Sequence, residues 1–260
     1  MRLGLNIDHI ATLREARKIH EPDVLEAIFI AKNAGVDLIT LHLREDRRHI
    51  HEDDLSSILK HAPMPVNVEC AIDSKITKIL CKLRPFKVTL VPEKRAEITT
   101  EGGLNLNHPK LAQTIQAYLD QEIEVALFID PGLTNLKRAL DLGVRVVELH
   151  TGQFSNLYNT LYSNFKHHKN RLKNLPSSNA ALKNMLDQSL NVLEQSALQG
   201  EKMGLEMCAG HGLNYFNAGL VARISSLKEL NIGHAIMARA IIVGLERAIK
   251  DMQEILKHAR

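Results

Sequence analysis

The sequence predicts an α/β protein, a closed (β/α)8 TIM barrel, and three observations lead there. The chain has 260 residues, close to the roughly 250 of one such barrel. Eight short β-branched runs alternate with longer segments of helical period, the order that gives a parallel sheet surrounded by helices. No GxGxxG follows the first run, which argues against the alternative, an open doubly wound sheet built for a dinucleotide.

The elements follow in order. The strand candidates are RLGLNI, DLITLHL, PVNVECA, FKVTLV, IEVALFI, RVVELH, GLEMCA and KELNIG. Several are apolar at nearly every residue, as expected of a parallel sheet covered on both faces. PDVLEAIFIAKNAG reads as an amphipathic helix with Pro22 in its first turn and Gly35 at its C-terminal stop. HPKLAQTIQAYLD and LTNLKRALDLG read the same way, and HAIMARAIIVGLERAIKDMQEILKHA closes the chain as one long helical stretch. One interval is too long, because ELHTG and GLEMCAGHG stand about twice the ~30 residues of a βα unit apart. Its middle, NFKHHKNRLKNLPSSNAALKN, is polar and broken by Pro176. Residues 1–260 are therefore expected to form a single barrel domain, with an insertion at about 155–185 that adds helix and loop to one face.

Composition removes several function classes. A net charge of +3 is too small to argue for nucleic acid or a membrane surface. The absence of Trp, with only 4% aromatic residues, disfavours a stacking platform for single strands. Cys70, Cys81 and Cys208 are an odd number without CxxC pairing, so they read as reduced thiols, with Cys70 and Cys208 as small core residues. MRLGLNIDHIATLRE meets charge too early for a signal peptide. No apolar run approaches the ~20 residues that span a bilayer. A cytoplasmic protein is expected.

Barrel chemistry belongs at the C-terminal ends of the strands. Those ends carry Asn6, Asp8 and His9; His42 and Arg44; Asn67 and Glu69; VPEKRAEITTEGG; Asp130; Glu148 and His150; His211 in CAGHG; and His234 in IGHA. Each alone reads equally well as a helix cap or solvated turn, and Asp130, followed by Pro131 and Gly132, reads as a turn residue. The joint pattern argues otherwise, since capping does not need histidine at the ends of five separate strands. AGHGL and NIGHAI each follow a strand and are expected to open a helix. Backbone N–H groups at a helix start favour an anion, and the loops after strands seven and eight often hold phosphate. One phosphate is therefore expected at Gly212, Gly233 and His234. LITLHLREDRRHIHEDD turns abruptly from a buried strand to a charged cluster. It offers a second anion site at Arg44 and His49, with Thr99 reaching in from a lid hinged at Gly102 and Gly103.

NIDHIATLREAR, HLREDRRHI, VPEKRAEITTEGG, LHTG, AGHGLNY and LNIGHAI together resemble the pyridoxine 5'-phosphate synthase family of vitamin B6 biosynthesis. The resemblance runs from residue 2 to about residue 250, in register outside the insertion. It implies a (β/α)8 barrel assembled as a homooctamer of dimers. It also implies a reaction of 1-deoxy-D-xylulose 5-phosphate with 3-amino-2-oxopropyl phosphate that yields pyridoxine 5'-phosphate, inorganic phosphate and water, without a cofactor. Carried over residue by residue, Asn6, Arg17, Gly212, Gly233 and His234 would contact the aminoketone phosphate. Asp8, His9, Arg44, His49 and Thr99 would contact the deoxyxylulose phosphate. His42 and Glu69 would accept protons, His211 would donate one, and Glu148 would stabilise the transition state.

Two rival readings remain at this stage. A metal-dependent hydrolase or aldolase would use His9, His42, Glu69 and His211 as ligands, although the first strand lacks His-x-His and no HExxH occurs. A barrel kept for ligand binding alone would retain the same residues without turnover.

Overall fold

The computed structural model describes residues 1–93, 102–169, 175, 176 and 178–260. Eight parallel strands close into one barrel in chain order. They are β1 (Arg2–Asn6), β2 (Leu38–His42), β3 (Val66–Cys70), β4 (Lys87–Leu90), β5 (Glu124–Ile129), β6 (Val146–His150), β7 (Glu206–Gly210) and β8 (Leu227–Ile232). β1 pairs with both β2 and β8, which closes the ring. Around it stand α1 (Asp8–Glu15), α2 (Val24–Asn33), α3 (Glu52–His61), α4 (Ser74–Leu83), α5 (Leu111–Leu119) and α6 (Leu133–Asp141). They are followed by α7 (Gly152–Tyr162), α8 (Asn179–Lys202), α9 (Ala218–Ala222), α10 (His234–Val243) and α11 (Leu245–His258).

All eight expected strands are present, but their two faces differ more than an apolar run suggests. Leu3, Leu5, Ile39, Leu41, Val68, Leu127, Val147 and Leu230 belong to one continuous apolar cluster shared with the helices. Each such side chain, once buried, contributes about 1.5–3 kcal/mol. The alternate positions face the barrel axis, and there the apolar content shrinks to a separate cluster of Ala126, Val146 and Cys208. Apart from Phe128, most of the remaining interior is polar. Thr89 Oγ1 donates to Asn67 Oδ1 at 2.8 Å, and Asn67 Nδ2 to Thr40 Oγ1 at 3.3 Å. Across the axis, Lys87 Nζ on β4 meets Glu229 Oε1 on β8 at 2.9 Å, both side chains buried.

Three local readings change. Pro22 does not enter α2: it lies before the helix after a cis peptide bond, and Asp23 caps the helix by accepting from Leu25 N at 2.8 Å. Gly35 does follow α2 with φ +87°, as a C-terminal stop requires. The closing helical stretch is two helices, because Gly244 between them has φ +85°, outside the helical region. AGHGL does not open a helix. His211 and Gly212 have φ +83° and +80° in succession, which turns the chain, and α9 begins only at Ala218. NIGHAI behaves as expected, with α10 starting at His234 directly after Gly233.

Between β6 and β7, α7 leaves the barrel at once and the 24-residue α8 returns to it, packing on α6, α7 and β7. Cys70 and Cys208 are buried and all three cysteines are free. Among the described residues no helix is long and apolar enough to cross a membrane.

The buried Lys87–Glu229 pair gives a direct stability test. Glu229→Leu strands an ammonium in the interior and is expected to cost about 3–5 kcal/mol in denaturant unfolding. Adding Lys87→Met should recover most of that loss; if Glu229→Leu alone leaves stability unchanged, the pair does not organise the interior.

Candidate active site

The strand ends converge as the sequence pattern requires. At β1, Asn6 Oδ1 accepts from Asp8 N at 3.0 Å, and Asp8 Oδ1 accepts from His42 N at 2.8 Å. This pair of bonds ties the ends of β1 and β2 together and keeps Asp8 buried at the mouth. His42 stands in register with Glu69 on β3, its Nδ1 3.9 Å from Glu69 Oε2. Its Nε2 lies 3.3 Å from Glu93 Oε2.

Glu93 is the residue that sequence reasoning left unassigned, although it stands in the quoted VPEKR motif. Its side chain is 2% exposed, lies 3.5 Å from Arg44 Nη2 and accepts from Glu45 N at 2.9 Å. Burial raises its proton affinity, but His42 and Arg44 outweigh burial and hold the carboxyl below its usual range. His42 Nε2, Arg44 Nη2 and Glu93 Oε2 are buried and have no hydrogen-bond partner among the described residues. Beside them, His49 Nδ1 accepts from Ile50 N at 2.9 Å. That bond places the ring hydrogen of neutral His49 on Nε2, and burial favours the neutral ring by lowering its pKa. Arg14 braces this wall from outside, with Nη2 2.9 Å from both His49 O and Asp54 Oδ2.

Two carboxyls over the barrel axis carry raised proton affinity. Glu69 is pushed well above the ordinary carboxylate range by burial, then by the nearby Glu148 and Asp8 charges. Glu148, buried on β6, is raised to about 7 by burial, an effect that Lys87 partly offsets. Asn231 Nδ2 donates to Glu148 Oε2 at 2.7 Å. Gly210 leaves space for the other oxygen, since a Cβ there would stand 2.2 Å from Glu148 Oε1.

The far wall holds two histidine pairs. His9 Nε2 lies 3.3 Å from His234 Nδ1, and burial followed by His234 lowers the pKa of His9. His211 packs edge-on against His150 with ring centres 5.1 Å apart. Burial, then His150, takes His211 down to about 4. Asp130, expected to serve a turn, also engages His150, with Oδ1 3.0 Å from Nδ1. Gly212 lies against the buried Ser155 of α7, and Gly233 against Asn6. Arg17 stands exposed on the turn after α1, and no described contact draws it to the mouth. Thr99 and the proposed lid from 94 to 101 lie outside the described residues. Gly103, one expected hinge, instead serves a close approach, since its Cβ would stand 2.1 Å from Asp130 N. No three His, Cys, Asp or Glu side chains among the described residues are grouped to hold a metal ion.

Fold and mouth thus define a parallel (β/α)8 barrel whose open end combines paired acid–base groups with buried, unfilled hydrogen-bond donors. Residues 3–258 match the family profile of the pyridoxal phosphate biosynthesis protein PdxJ. The chain is 49% identical to the pyridoxine 5'-phosphate synthase of Aliarcobacter butzleri, over 99% of this chain and 100% of that one. It is 48% identical to that of Wolinella succinogenes, over 98% of each. The chain belongs to the pyridoxine 5'-phosphate synthase (PdxJ) family of vitamin B6 biosynthesis.

More distant solved structures share the fold alone. A 3-hexulose-6-phosphate synthase superposes with TM-score 0.60 at 15% identity, covering 98% of this chain and 99% of that one. The phosphoribosylanthranilate isomerase of Thermotoga maritima gives 0.54 at 12%, covering 99% of each.

The raised Glu148 predicts a pH effect on stability. The unfolded chain releases this proton near 4.5 and the folded chain near 7, so the folded state binds more protons between those values. Its contribution is therefore fully present below 4.5 and lost as pH rises to about 7. Glu148→Gln should flatten the fall in unfolding free energy across this window; an unaltered slope would show that Glu148 titrates normally.

Proposed function

We propose that this chain catalyses the condensation of 1-deoxy-D-xylulose 5-phosphate with 3-amino-2-oxopropyl phosphate to pyridoxine 5'-phosphate, inorganic phosphate and water. The observation that carries this reading is the juxtaposition at one mouth of raised carboxyls on Glu69 and Glu148 with the buried, unfilled donor of Arg44 beside His49. The first set suits proton movement near neutral pH and the second suits a phosphate.

The chemistry asks for both. An amine adds to a ketone and water is lost, phosphate leaves, and a carbon–carbon bond closes the ring. Each step moves protons at carbon, nitrogen or oxygen. Histidine titrates where this happens, and a buried glutamate raised towards neutrality becomes a competent base. In this reading His42 and Glu69 accept protons, His211 donates one and Glu148 stabilises charge that develops over the barrel axis. Arg44 and His49 hold the deoxyxylulose phosphate, joined by Asp8 and His9 on its sugar and by Thr99. Gly212, Gly233 and His234, with Asn6 and Arg17, take the aminoketone phosphate. The substrates' own carbonyl and imine groups act as electron sinks, so the proposal includes no cofactor.

Self-association belongs to the same proposal. Phe216, just before α9, and Ile241 and Ile242, at the end of α10, are 81%, 75% and 81% exposed, and large apolar side chains so exposed suit burial at a subunit contact. The homooctamer implied by the family would cover them. Light scattering of the purified chain reads the mass directly.

The deciding assay follows pyridoxine 5'-phosphate and released phosphate together in chelator-treated buffer. Equal amounts of both without added metal are expected. Activity restored only by a divalent ion would replace this reading with a metal-dependent one, and binding without product would leave a phosphate-binding barrel. Glu69→Gln should retain binding and lose most turnover, because the amide cannot accept a proton; wild-type turnover would reject it as the base. Arg44→Ala should weaken deoxyxylulose phosphate roughly 10- to 150-fold, from about 1.5–3 kcal/mol of charge-assisted hydrogen bonding. Unchanged affinity would mean the phosphate sits elsewhere.

A further inference from the structure

The roles proposed above leave His150 unused, although it touches His211 and is itself fastened from behind. We propose that His150 is the positioning residue of His211: Asp130 fixes its tautomer, Gly152 makes room for both rings, and the two imidazoles share a single extra proton. The inference rests on the reading of His211 as proton donor.

The geometry is specific. Asp130 Oδ1 lies 3.0 Å from His150 Nδ1. An ionised carboxylate only accepts, so the hydrogen of neutral His150 sits on Nδ1 and Nε2 keeps its lone pair. That Nε2 is buried and has no hydrogen-bond partner among the described residues. A Cβ on Gly152 would stand 2.3 Å from His150 Nε2 and 3.1 Å from His211 Cδ2. Glycine at this one position therefore lets the rings meet edge-on, 5.1 Å apart and inclined by 63°. Phe128 seals the pair from below, 5.1 Å from His150 and 6.2 Å from His211.

Among the described residues, two carboxylates lie nearest the pair. Asp130 comes from the loop after β5, and Glu148 lies two residues before His150 on β6 with Oε1 beside Gly210. The wall supplied by α8 offers Met185, Gln188, Ser189 and Val192, none of which titrates near neutral pH. Asp130 and His150 open onto a cavity of about 300 Å³ under that wall, and the Asp130 side chain is 58% exposed. Solvent therefore reaches Asp130 and the outer edge of the His150 ring from the side of the barrel, while His150 Nε2 stays buried.

An extra proton taken up by the pair binds the Nε2 lone pair of His150, whose Nδ1 hydrogen stays with Asp130. Passing that proton to His211 returns His150 to neutrality and leaves His211 cationic. Two adjacent imidazolium ions in so dry a place would repel strongly, and the low proton affinity of His211 beside His150 agrees with this. One ring or the other carries the charge.

The test is an NMR titration of 13C-labelled histidine in the full-length protein, alongside the pH profile of turnover. His211 is assigned by the signal lost in His211→Asn. His150→Asn keeps an amide donor for Asp130 but cannot take a proton. Asp130→Asn, at an exposed position, removes the carboxylate that fixes the Nδ1 hydrogen of His150. His150→Asn is expected to raise the proton affinity of His211 by up to about tenfold, which is one pH unit, and Asp130→Asn to move the His211 titration measurably. Turnover should fall roughly tenfold or more while KM for each substrate stays within about threefold, as loss of a proton-transfer arrangement requires. An unmoved His211 titration in both variants would overturn the proposal and reduce His150 to packing. If His211 responds as expected while the unaltered protein forms no pyridoxine 5'-phosphate, the coupling stands and the proposed reaction fails.

Discussion

Lys87 is the positive charge on which the barrel interior depends. Its ammonium is fixed to Glu229 at 2.9 Å, and its field reaches further. It opposes the rise in proton affinity of Glu69, Glu148 and Cys208. Without a cation on the axis, inward-facing carboxylates on β3, β6 and β8 would crowd one narrow, poorly solvated space, where like charges repel strongly. With it, the lower interior is neutralised and the upper carboxyls stay poised. A parallel barrel with an apolar interior would be simpler to stabilise. This one supports its mouth electrostatically from beneath.

The mouth divides into two kinds of surroundings. On the β2–β4 side, Glu93 faces both His42 and Arg44, so its carboxylate competes with any ligand for their hydrogen bonds. On the β6–β8 side, imidazoles face one another, and burial followed by the neighbouring ring lowers the proton affinity of His9 and His211. Acceptors and donors are thus separated by environment and not by residue type, since histidine occurs on both sides. The Arg14 brace between α1 and α3 holds the first side from outside the barrel, which leaves the inward-facing groups uncommitted to the scaffold.

The strands were legible because their outward faces make continuous Leu, Ile and Val patterns that periodicity detects. The polar interior was not. A single Asn67, Lys87 or Glu229 in an apolar run looks like an edge or an end, and only the closed topology turns it inward. Strand-end residues such as Asp8, His42, Glu69 and Glu148 could be found because barrel chemistry has a fixed address. Glu93 and the Asp130–His150 contact depend on which loops pack together across the mouth, and no local spacing encodes that. AGHGL misled for a related reason. Glycine signals a permissive backbone, but whether it starts a helix or turns the chain is decided by the φ of His211 beside it.

Glycines 152 and 210 have a thermodynamic consequence. Each occupies a place where one added methyl would overlap a functional atom, the Nε2 of His150 or the Oε1 of Glu148. Those polar side chains fill the vacated volume and take up fixed hydrogen bonds there, to Asp130 and Asn231. Their rotational freedom is surrendered when the chain folds, where the burial of the whole barrel offsets it. None of it has to be surrendered again at each catalytic cycle, so a substrate meets groups whose entropy of alignment has already been spent.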